Sequence, residues 1–376
     1  MKTGIQNEED RLSNLPDSVI LHILSFLKTE EALQTYVLSK RWKNIPRHLP
    51  TLIFKPSHFN YGHSFGKFVS QILSLRDHST PLDTLDWMEF DQDFVEPDIL
   101  KSILEYAVSH NIQLLRFSIT CEIKQFPSCF FSSKTLTSLD LNVHTSIAFS
   151  GRASFPNSLN LPALTTLALR SFYFCAGDDG CSEPFSAFNK LDTLLIEDCQ
   201  LLDAQILCIS STTLINLTVN YEIGYNYLDS YKCKLSTPSL CNLNYTGVLI
   251  HNLCRSDLCS LKDVCIDVFN PYCSPYKEYY PFVLNLLLEL ANIKSLTVSS
   301  TTLQVLFFVP DLFKVKLASL YNLESLQVKV KLLEPPVYYE VIGLESCDFR
   351  KFEPGRIVDF LLQNSPSAKV INIYND

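Results

Sequence analysis

The chain has 376 residues, 47% of them hydrophobic and 19% charged, so it can bury a large core and lacks the composition of an intrinsically disordered protein. Its formal net charge of −9 at pH 7 argues against a general nucleic-acid binder. The first residues are charged and polar, and the longest apolar runs are far shorter than a membrane span. We therefore expect a cytoplasmic or nuclear protein with no nucleic-acid and no membrane partner.

The segment from residue 10 to residue 54 predicts a small helical unit. Asp17 is a candidate cap of a first helix that is apolar around nearly its whole circumference, from Val19 to Leu27. Thr29, which two glutamates follow, predicts the start of a second helix with its acids at the positive end.

A third short helix is expected after Ser39, a candidate cap. This helix would hold Trp42 and would end or kink at Pro46. A unit of fewer than roughly 60 residues is marginally stable alone, so the excess of apolar side chains predicts a partner. Four basic residues here predict a solvated helix face, with a nuclear-import signal as a second interpretation: Lys40, Arg41, Lys43 and Arg47.

Three blocks follow one another in this segment: Leu15-Pro16-Asp17, Ile23-Leu24-Ser25-Phe26-Leu27 and Val37-Leu38-Ser39-Lys40-Arg41-Trp42. They resemble, in order and spacing, the F-box of plant F-box/leucine-rich-repeat proteins. In that family the F-box docks on a Skp-type adaptor, which joins the protein to a cullin-based ubiquitin ligase. The alternative is a helical cap for the following domain, with no partner.

The resemblance implies a set of adaptor-binding residues, some of which must belong to the F-box core instead. The sequence does not separate the two groups. The set consists of Leu15, Pro16, Ile20, Ile23, Leu24, Leu27, Val37, Leu38 and Trp42.

Residues 55–81 are predicted to be a linker with a bridging helix over Phe65–Leu75. Gly62-His63-Ser64-Phe65-Gly66 matches the G-x-S-x-G pattern of a nucleophile elbow, in which a buried strand runs directly into the turn. Here Lys55-Pro56-Ser57-His58 separates the glycine from the only upstream strand candidate. We therefore predict a flexible turn and no catalysis at this motif.

From residue 82 onward a loose L-x-x-L-x-L pattern recurs at intervals of roughly 20 to 30 residues, as in leucine-rich repeats. Strong copies begin at Leu136, Leu164, Leu191, Leu214, Leu240, Leu261, Ile293 and Leu323. Weaker copies are Leu82/Leu85/Trp87, Leu114/Phe117/Ile119 and Ala368/Ile371/Ile373. Each copy predicts a short strand with one buried face, and no repeat can bury its leucines alone.

The predicted fold class is therefore α/β: a three-helix F-box at 10–54 and, over 82–376, an irregular leucine-rich-repeat solenoid with a curved parallel sheet. A βαβ sheet and an all-β domain are the alternatives. Cys199 is the one residue that matches the Asn or Cys position after a repeat strand, so the repeats should be irregular. This irregularity and the closing Val358–Pro366 segment resemble the FBD-type subfamily, without a full C-terminal domain.

Strand positions that alternate with the leucines should point away from the core and predict a recognition surface. They are Asp140, Arg170, Glu197, Thr218, Asn220, Asn244, Asp267, Thr297 and Lys329. The segment 270–281 adds tyrosines, a residue type favoured at binding hot spots: Tyr272, Tyr276, Tyr279 and Tyr280. The alternative is that the polar residues are only solvated and that the tyrosines pack back onto their own solenoid.

Thirteen cysteines occur without a C-x-x-C pair, and Cys175/Cys181 and Cys254/Cys259 lack a matching pair of histidines. The odd count predicts reduced, mostly buried thiols. Asp178-Asp179 lacks the rest of a calcium loop, and no glycine-rich phosphate loop occurs. We expect no metal, no cofactor and no catalytic activity.

The resemblance implies a non-catalytic substrate receptor of an SCF-type ubiquitin ligase. Its F-box would bind the Skp-type adaptor, and through it a cullin, while the solenoid would bind the protein to be ubiquitinated. One alternative is a stand-alone leucine-rich-repeat binding or sensing protein whose F-box is structural. Another is a small-molecule receptor with a pocket on the solenoid.

Overall fold

The computed structural model describes residues 14–55, 62–88, 96–121, 124, 126–144, 153–156, 159–177, 180–221, 232–248, 252–254, 258–269, 281–290, 293–330 and 353–374. Packing divides the chain into two compact units, 1–151 and 152–376. Each unit is described by itself. The boundaries expected at residues 54 and 81 stay predictions.

The first unit begins with short helices. They are α1 (Asp17–Leu24), α2 (Thr29–Gln34) and two 3-10 helices, Thr35–Val37 and Ile45–His48. The expected third helix is not an α-helix: residues 40–44 form turns, in which the amide of Trp42 donates to Ser39 Oγ at 3.4 Å. Pro46, which the sequence predicts to end or kink this helix, lies in the 3-10 helix Ile45–His48 that follows these turns.

Parallel strands follow the helices of the first unit. They are β1 (Thr51–Phe54), β2 (Thr84–Met88), β3 (Leu114–Thr120) and β4 (Ser138–His144), and they pair in chain order. The connections contain α3 (Gly62–Leu75), α4 (Pro97–Ser109) and a 3-10 turn at Phe130–Ser132. The buried aromatic rings of successive strands meet, with centroids 6.2 Å apart for Phe54 and Trp87 and 5.4 Å apart for Trp87 and Phe117.

The G-x-S-x-G motif lies in the first turns of α3, not in a flexible turn and not at a strand-to-helix elbow. Gly66 has a packing role there. A Cβ atom at this position would stand 2.1 Å from Cδ1 of Ile99, so the glycine lets α3 and α4 approach closely.

The second helix, α2, begins at Thr29 as predicted, but neither Asp17 nor Thr29 caps its helix through its side chain. Asp17 is the first residue of α1, preceded by Pro16 as N-cap, and its carboxylate binds Arg41. Thr29 is the first residue of α2, and its buried hydroxyl accepts a hydrogen bond from the Ile53 amide at 2.8 Å. The competing partners on other elements satisfy both side chains, so the F-box helices are tied to neighbouring segments at these points.

The second unit contains many short strands: β5 (Ala153–Ser154), β6 (Thr166–Arg170), β7 (Phe172–Cys175), β8 (Cys181–Ser182), β9 (Thr193–Glu197), β10 (Gln200–Leu202), β11 (Ile206–Ser210), β12 (Asn216–Asn220), β13 (Lys232–Ser236), β14 (Asn242–Val248), β15 (Asn252–Cys254), β16 (Asp263–Phe269), β17 (Ser295–Ser299), β18 (Ser325–Val330) and β19 (Lys369–Tyr374). Its helices are α5 (Pro281–Glu289), α6 (Ser300–Phe307), α7 (Pro354–Gln363) and 3-10 turns at Leu312–Lys314 and Ala318–Leu320.

One long parallel sheet of the second unit takes one strand from each repeat, in the order β6-β9-β12-β14-β16-β17-β18-β19. Two smaller parallel sheets, β10-β7-β5 and β15-β13-β11-β8, occupy return segments of the earlier repeats, while α5, α6 and α7 occupy those of the later ones. The leading apolar residues of the strong repeat copies are buried. The predicted fold class, F-box helices before a long parallel sheet of leucine-rich-repeat type, is confirmed.

Two of the weaker repeat copies are shifted in register. In β3 the inward residues are Leu115, Phe117 and Ile119, and Ile112, not Leu114, supplies the preceding buried position. In β19, Val370 pairs with the inward Leu326, so Ile371 lies on the opposite face; Val370 is 40% exposed and Ile371 50% exposed. The β3 copy is shifted by two residues and keeps Phe117 and Ile119 inward, whereas the one-residue shift in β19 moves every side chain to the other face.

Cys199 supplies the turn contact that its repeat position predicts. Its buried thiol donates to the carbonyl oxygens of Leu169 at 3.5 Å and Glu197 at 3.4 Å. The thiol therefore links one repeat to the preceding one.

Candidate functional site

The structure separates the nine F-box residues that the sequence could not separate. Ile20, Leu24 and Trp42 are buried in the F-box core with Ala32, Ile45 and Leu49, so they are core residues and not contact residues. The half-buried Leu15 and Leu27 pack against this core. The remaining four are exposed: Pro16, Ile23, Val37 and Leu38.

Two further exposed apolar residues, Val19 and Phe26, were missed because a helix that is apolar nearly all round gives no signal of which side stays uncovered. A third, Tyr36, is expected from the apolar spacing of the second helix to face inward but is exposed in the 3-10 helix Thr35–Val37. The exposed apolar set of the F-box consists of Val19, Ile23, Phe26, Tyr36, Val37 and Leu38. Phe26 is 72% exposed and Val37 is 70% exposed. Side chains of this size are unusual on a surface unless a partner covers them.

Arg41 fixes the entry to α1. Its Nε donates to Asp17 Oδ1 at 2.8 Å, and its Nη2 contacts both Asp17 Oδ1 and the carbonyl oxygen of Leu15. An exposed ion pair alone contributes little, but this guanidinium also binds the backbone. It thereby holds the exposed Pro16 in place beside α1.

In the first unit, three charged residues lie side by side on the polar face of the sheet. Arg116 on β3 pairs in register with Asp86 on β2 and with Asp140 on β4. Its Nη1 lies 2.8 Å from Asp86 Oδ2, and its Nε lies 3.5 Å from Asp140 Oδ2. Burial raises the pKa of Asp86, and Arg116 offsets part of that effect. Of these, the sequence predicted Asp140 alone.

The polar face of the second unit's sheet is built from three rows that run across the strands. The predicted Thr218, Asn244 and Thr297 lie in the middle row, where register also places Cys265 and Gln327. Arg170, Glu197 and Asn220 lie in one row near the strand ends, with Lys329 farther along the sheet. The sequence pattern therefore identified the correct face of these strands.

A third row, at the strand starts, was not predicted. Asn216 Nδ2 donates to Thr193 Oγ1 at 3.0 Å, and Asn242 Nδ2 donates to Asn216 Oδ1 at 2.6 Å, so side chains of three successive repeats form one hydrogen-bonded chain. The signal was available, since these residues lie two positions before the predicted Thr218 and Asn244.

A groove of about 460 Å³ lies on this polar face. Lys329 reaches across it, with its Nζ 3.6 Å from the Cys265 thiol. Asn244 Oδ1 is buried without a hydrogen-bond partner among the described residues. The groove offers amide, hydroxyl and charged groups, and its lining residues include Asn216, Thr218, Asn242, Asn244, Asp263, Cys265, Thr297, Gln327 and Lys329.

Two predicted residues are less available than expected. Arg170 and Glu197 bind each other, with Nε and Oε2 3.3 Å apart. Asp267 is buried, which corrects its prediction as a surface residue. The reason is α6, which packs on β16: Thr302 Oγ1 accepts from the Val268 amide at 2.7 Å and donates to the Ile266 carbonyl at 2.9 Å, on either side of Asp267.

Other predicted features lie outside the residues that the structure describes. These are the tyrosine segment with Tyr272, Tyr276, Tyr279 and Tyr280, and the Asp178-Asp179 pair. Within the described ranges, no group of three or more histidine, cysteine, aspartate or glutamate side chains is placed to hold a metal ion. No described helix has the length and apolarity needed to cross a membrane.

Comparison with known proteins agrees with this arrangement. Residues 12–54 match the F-box domain family. The chain is 28% identical over 315 residues to the F-box/LRR-repeat protein At4g14096 of Arabidopsis thaliana, covering 80% of this chain and 64% of the relative. It is 26% identical over 327 residues to F-box/LRR-repeat protein At4g14103 of the same plant, covering 82% of each chain.

A third Arabidopsis thaliana relative, F-box/LRR-repeat protein 13, is 25% identical over 316 residues, covering 80% of this chain and 67% of the relative. The chain thus spans less than two thirds of the length of At4g14096, which extends beyond the matched part. The F-box match and these relatives confirm the resemblance to plant F-box/leucine-rich-repeat proteins.

Proposed function

We propose that this chain, an F-box/leucine-rich-repeat protein of the plant type, is a non-catalytic substrate receptor of an SCF-type ubiquitin ligase. In this proposal the F-box binds a Skp-type adaptor and through it a cullin. The repeat sheet holds the protein to be ubiquitinated. We also propose that it acts in the cytoplasm or the nucleus, which imaging of a fluorescent fusion would test.

The observation that carries the proposal is the exposed apolar set of the F-box. Burying one side chain of the size of valine or leucine contributes about 1.5–3 kcal/mol. Val37 and Leu38 are neighbours and both are more than half exposed, so an adaptor that covers them would gain a large part of its affinity there.

The adaptor proposal is tested with the double variant Val37→Ala/Leu38→Ala in the full chain. We expect adaptor binding to weaken about tenfold or more, as the loss of 1.4 kcal/mol would give, with an unchanged melting temperature. The matched control is Ile215→Ala/Leu288→Ala, which removes two exposed apolar side chains of the second unit. Normal adaptor binding by the first variant would contradict the proposal.

The polar groove of the second unit supports the substrate half of the proposal. Its amide and hydroxyl groups suit hydrogen bonding to an extended polypeptide, and Lys329 adds a positive charge. Proximity labelling in the plant, with and without proteasome inhibition, would supply candidate substrates. Thr297→Arg in the groove should then abolish capture of the true substrate and leave adaptor binding unchanged.

The control for that test is Lys232→Glu, an exposed change on β13 of a different sheet. If the Thr297→Arg variant captures the substrate as strongly as the control variant does, the recognition surface lies elsewhere on the chain.

A further inference from the structure

Arg76, which follows α3, is a buried cation that contacts only neutral acceptors. It is 3% exposed, and its Nη2 donates to the carbonyl oxygens of Leu49 at 2.7 Å and Pro81 at 3.0 Å. Its Nη1 donates to the Tyr106 hydroxyl at 3.0 Å, and its Nε is buried without a hydrogen-bond partner in the described structure. A buried charge without a counter-charge is costly, so a nearby anion would be favourable.

Other basic and nitrogen-bearing side chains line two grooves that this arginine also lines. A groove of about 600 Å³ in the first unit is lined by Arg47, His48, Arg76 and His78, and by Asp77. A second groove of about 290 Å³ shares Arg47 and Arg76 and adds Lys43. Among the residues that the structure describes, no carboxylate lies within ion-pair distance of Lys43, Arg47 or Arg76.

The single acid of the larger groove is already engaged. Asp77 Oδ1 accepts from the Ser79 hydroxyl at 2.7 Å and from the Ser79 amide at 2.8 Å, and these bonds lower the pKa of Asp77. Its Oδ2 lies 3.8 Å from His48 Nδ1. With two arginines against one carboxylate, and two histidines that offer ring nitrogens for hydrogen bonds, the groove has a net positive balance in a chain whose net charge is −9.

We propose that this groove binds a phosphate-type oxyanion. Arginine is the side chain best suited to such groups, because its guanidinium donates two parallel hydrogen bonds to the oxygens. An anion held by Arg47 and His78 would join the 3-10 helix Ile45–His48 of the F-box to the segment after α3. Binding should therefore stabilise the F-box against thermal unfolding. The proposal does not depend on the ubiquitin-ligase function.

The test measures the melting temperature and the dissociation constant of the full chain with phosphate, pyrophosphate and a phosphoserine peptide. Each is compared with potassium chloride at the same pH and ionic strength. The variant is Arg47→Gln, and the matched control is Lys67→Gln, an exposed charge on α3 outside the groove. Should Arg47→Gln fold poorly, His78→Gln removes another exposed side chain of the same groove.

We expect phosphate compounds to raise the melting temperature of the natural chain and of Lys67→Gln beyond the effect of chloride. Affinity should fall about tenfold in the groove variant, the loss of one charge-assisted hydrogen bond. Binding of inorganic phosphate or pyrophosphate would identify a free phosphate compound as the ligand source. Binding of the phosphoserine peptide alone would identify a phosphorylated protein segment. Equal binding by the groove variant, or no effect beyond chloride, would overturn the proposal.

Discussion

Gly247 on β14 packs directly against the backbone of Tyr221. A Cβ atom at residue 247 would stand 2.5 Å from the Tyr221 carbonyl oxygen and 2.7 Å from its Cβ. The glycine also has a φ of +136°, a conformation that other residues rarely adopt. The close approach accompanies a hydrogen bond from the Tyr221 amide to the Thr246 carbonyl oxygen at 2.8 Å. Two repeats of the second unit are in contact at this point.

Replacing this glycine should therefore destabilise the second unit. We expect Gly247→Ala to lower the free energy of unfolding by about 2–4 kcal/mol, from backbone strain together with the clash against a rigid backbone. Urea denaturation measures the change. The control is Gly355→Ala in α7, where no atom lies within 4 Å of the added Cβ and stability should be unchanged or slightly higher. Equal stability of the two variants would refute the packing argument.

Because the F-box residues divide into core and surface, two apolar truncations should change its stability by very different amounts. Ile20→Ala leaves a cavity in the core and should cost about 2–5 kcal/mol of stability. Val37→Ala removes an exposed side chain and should stay within about 0.5 kcal/mol of the natural chain. Thermal unfolding followed by circular dichroism distinguishes them, and a stability loss in Val37→Ala would place that residue in the core after all.

Asp86 and Asp77 should make the stability of the chain depend on pH in opposite directions. Burial raises the pKa of Asp86 above its ordinary value of 3.8, so the folded state holds this proton more tightly than the unfolded state does. The contribution of Asp86 to stability is therefore fully present below pH 3.8 and declines as the pH rises through the raised pKa. Relative to the natural chain, Asp86→Asn should gain stability as the pH rises above 3.8 and through the raised pKa of Asp86.

Asp77 provides the opposite case. Hydrogen bonds from Ser79 lower its pKa, so its contribution is present above 3.8 and is lost as the pH falls through the lowered pKa. Asp77→Asn should therefore lose stability relative to the natural chain as the pH rises. Urea midpoints at several pH values measure both differences, and parallel pH profiles of the two variants would disprove the assignment.

Cysteine reactivity should follow burial. Burial and the neighbouring Cys181 thiol raise the pKa of Cys208 to about 11, whereas Cys259 is exposed. Only a thiolate reacts rapidly with alkylating agents. Treatment of the folded chain with iodoacetamide at pH 8 should label Cys259 and leave Cys208 unlabelled, as peptide mass spectrometry would record. Labelling of Cys208 at the rate of Cys259 would contradict its raised pKa.

Much of the fold could be predicted because the repeat pattern is set by burial. Leu164, Leu167 and Leu169 recur at fixed offsets, and all three are buried as the alternation requires. The pattern failed at β19, where lysine and asparagine flank the apolar residues and the copy reads equally well in two registers.

The sites were harder to predict than the fold, because they depend on contacts between distant residues. Asp17 and Thr29 have the chemistry of helix caps, but their side chains bind Arg41 and the Ile53 amide instead. The exposure of Phe26 could not be derived either, since α1 and the turn after it are apolar on nearly every side. Arg76 gave no sequence signal, because its acceptors belong to Leu49, Pro81 and Tyr106.

The hydrogen-bonded row of Thr193, Asn216 and Asn242 side chains couples three successive repeats, so the residue that suits one repeat depends on the residues in its neighbours. Asn216 uses its amide nitrogen toward one repeat and its amide oxygen toward the next. A substitution at Asn216 would leave a donor on one side and an acceptor on the other, both in need of new partners. Replacing Asn216 would therefore change the hydrogen-bonding environment of two neighbouring repeats at once.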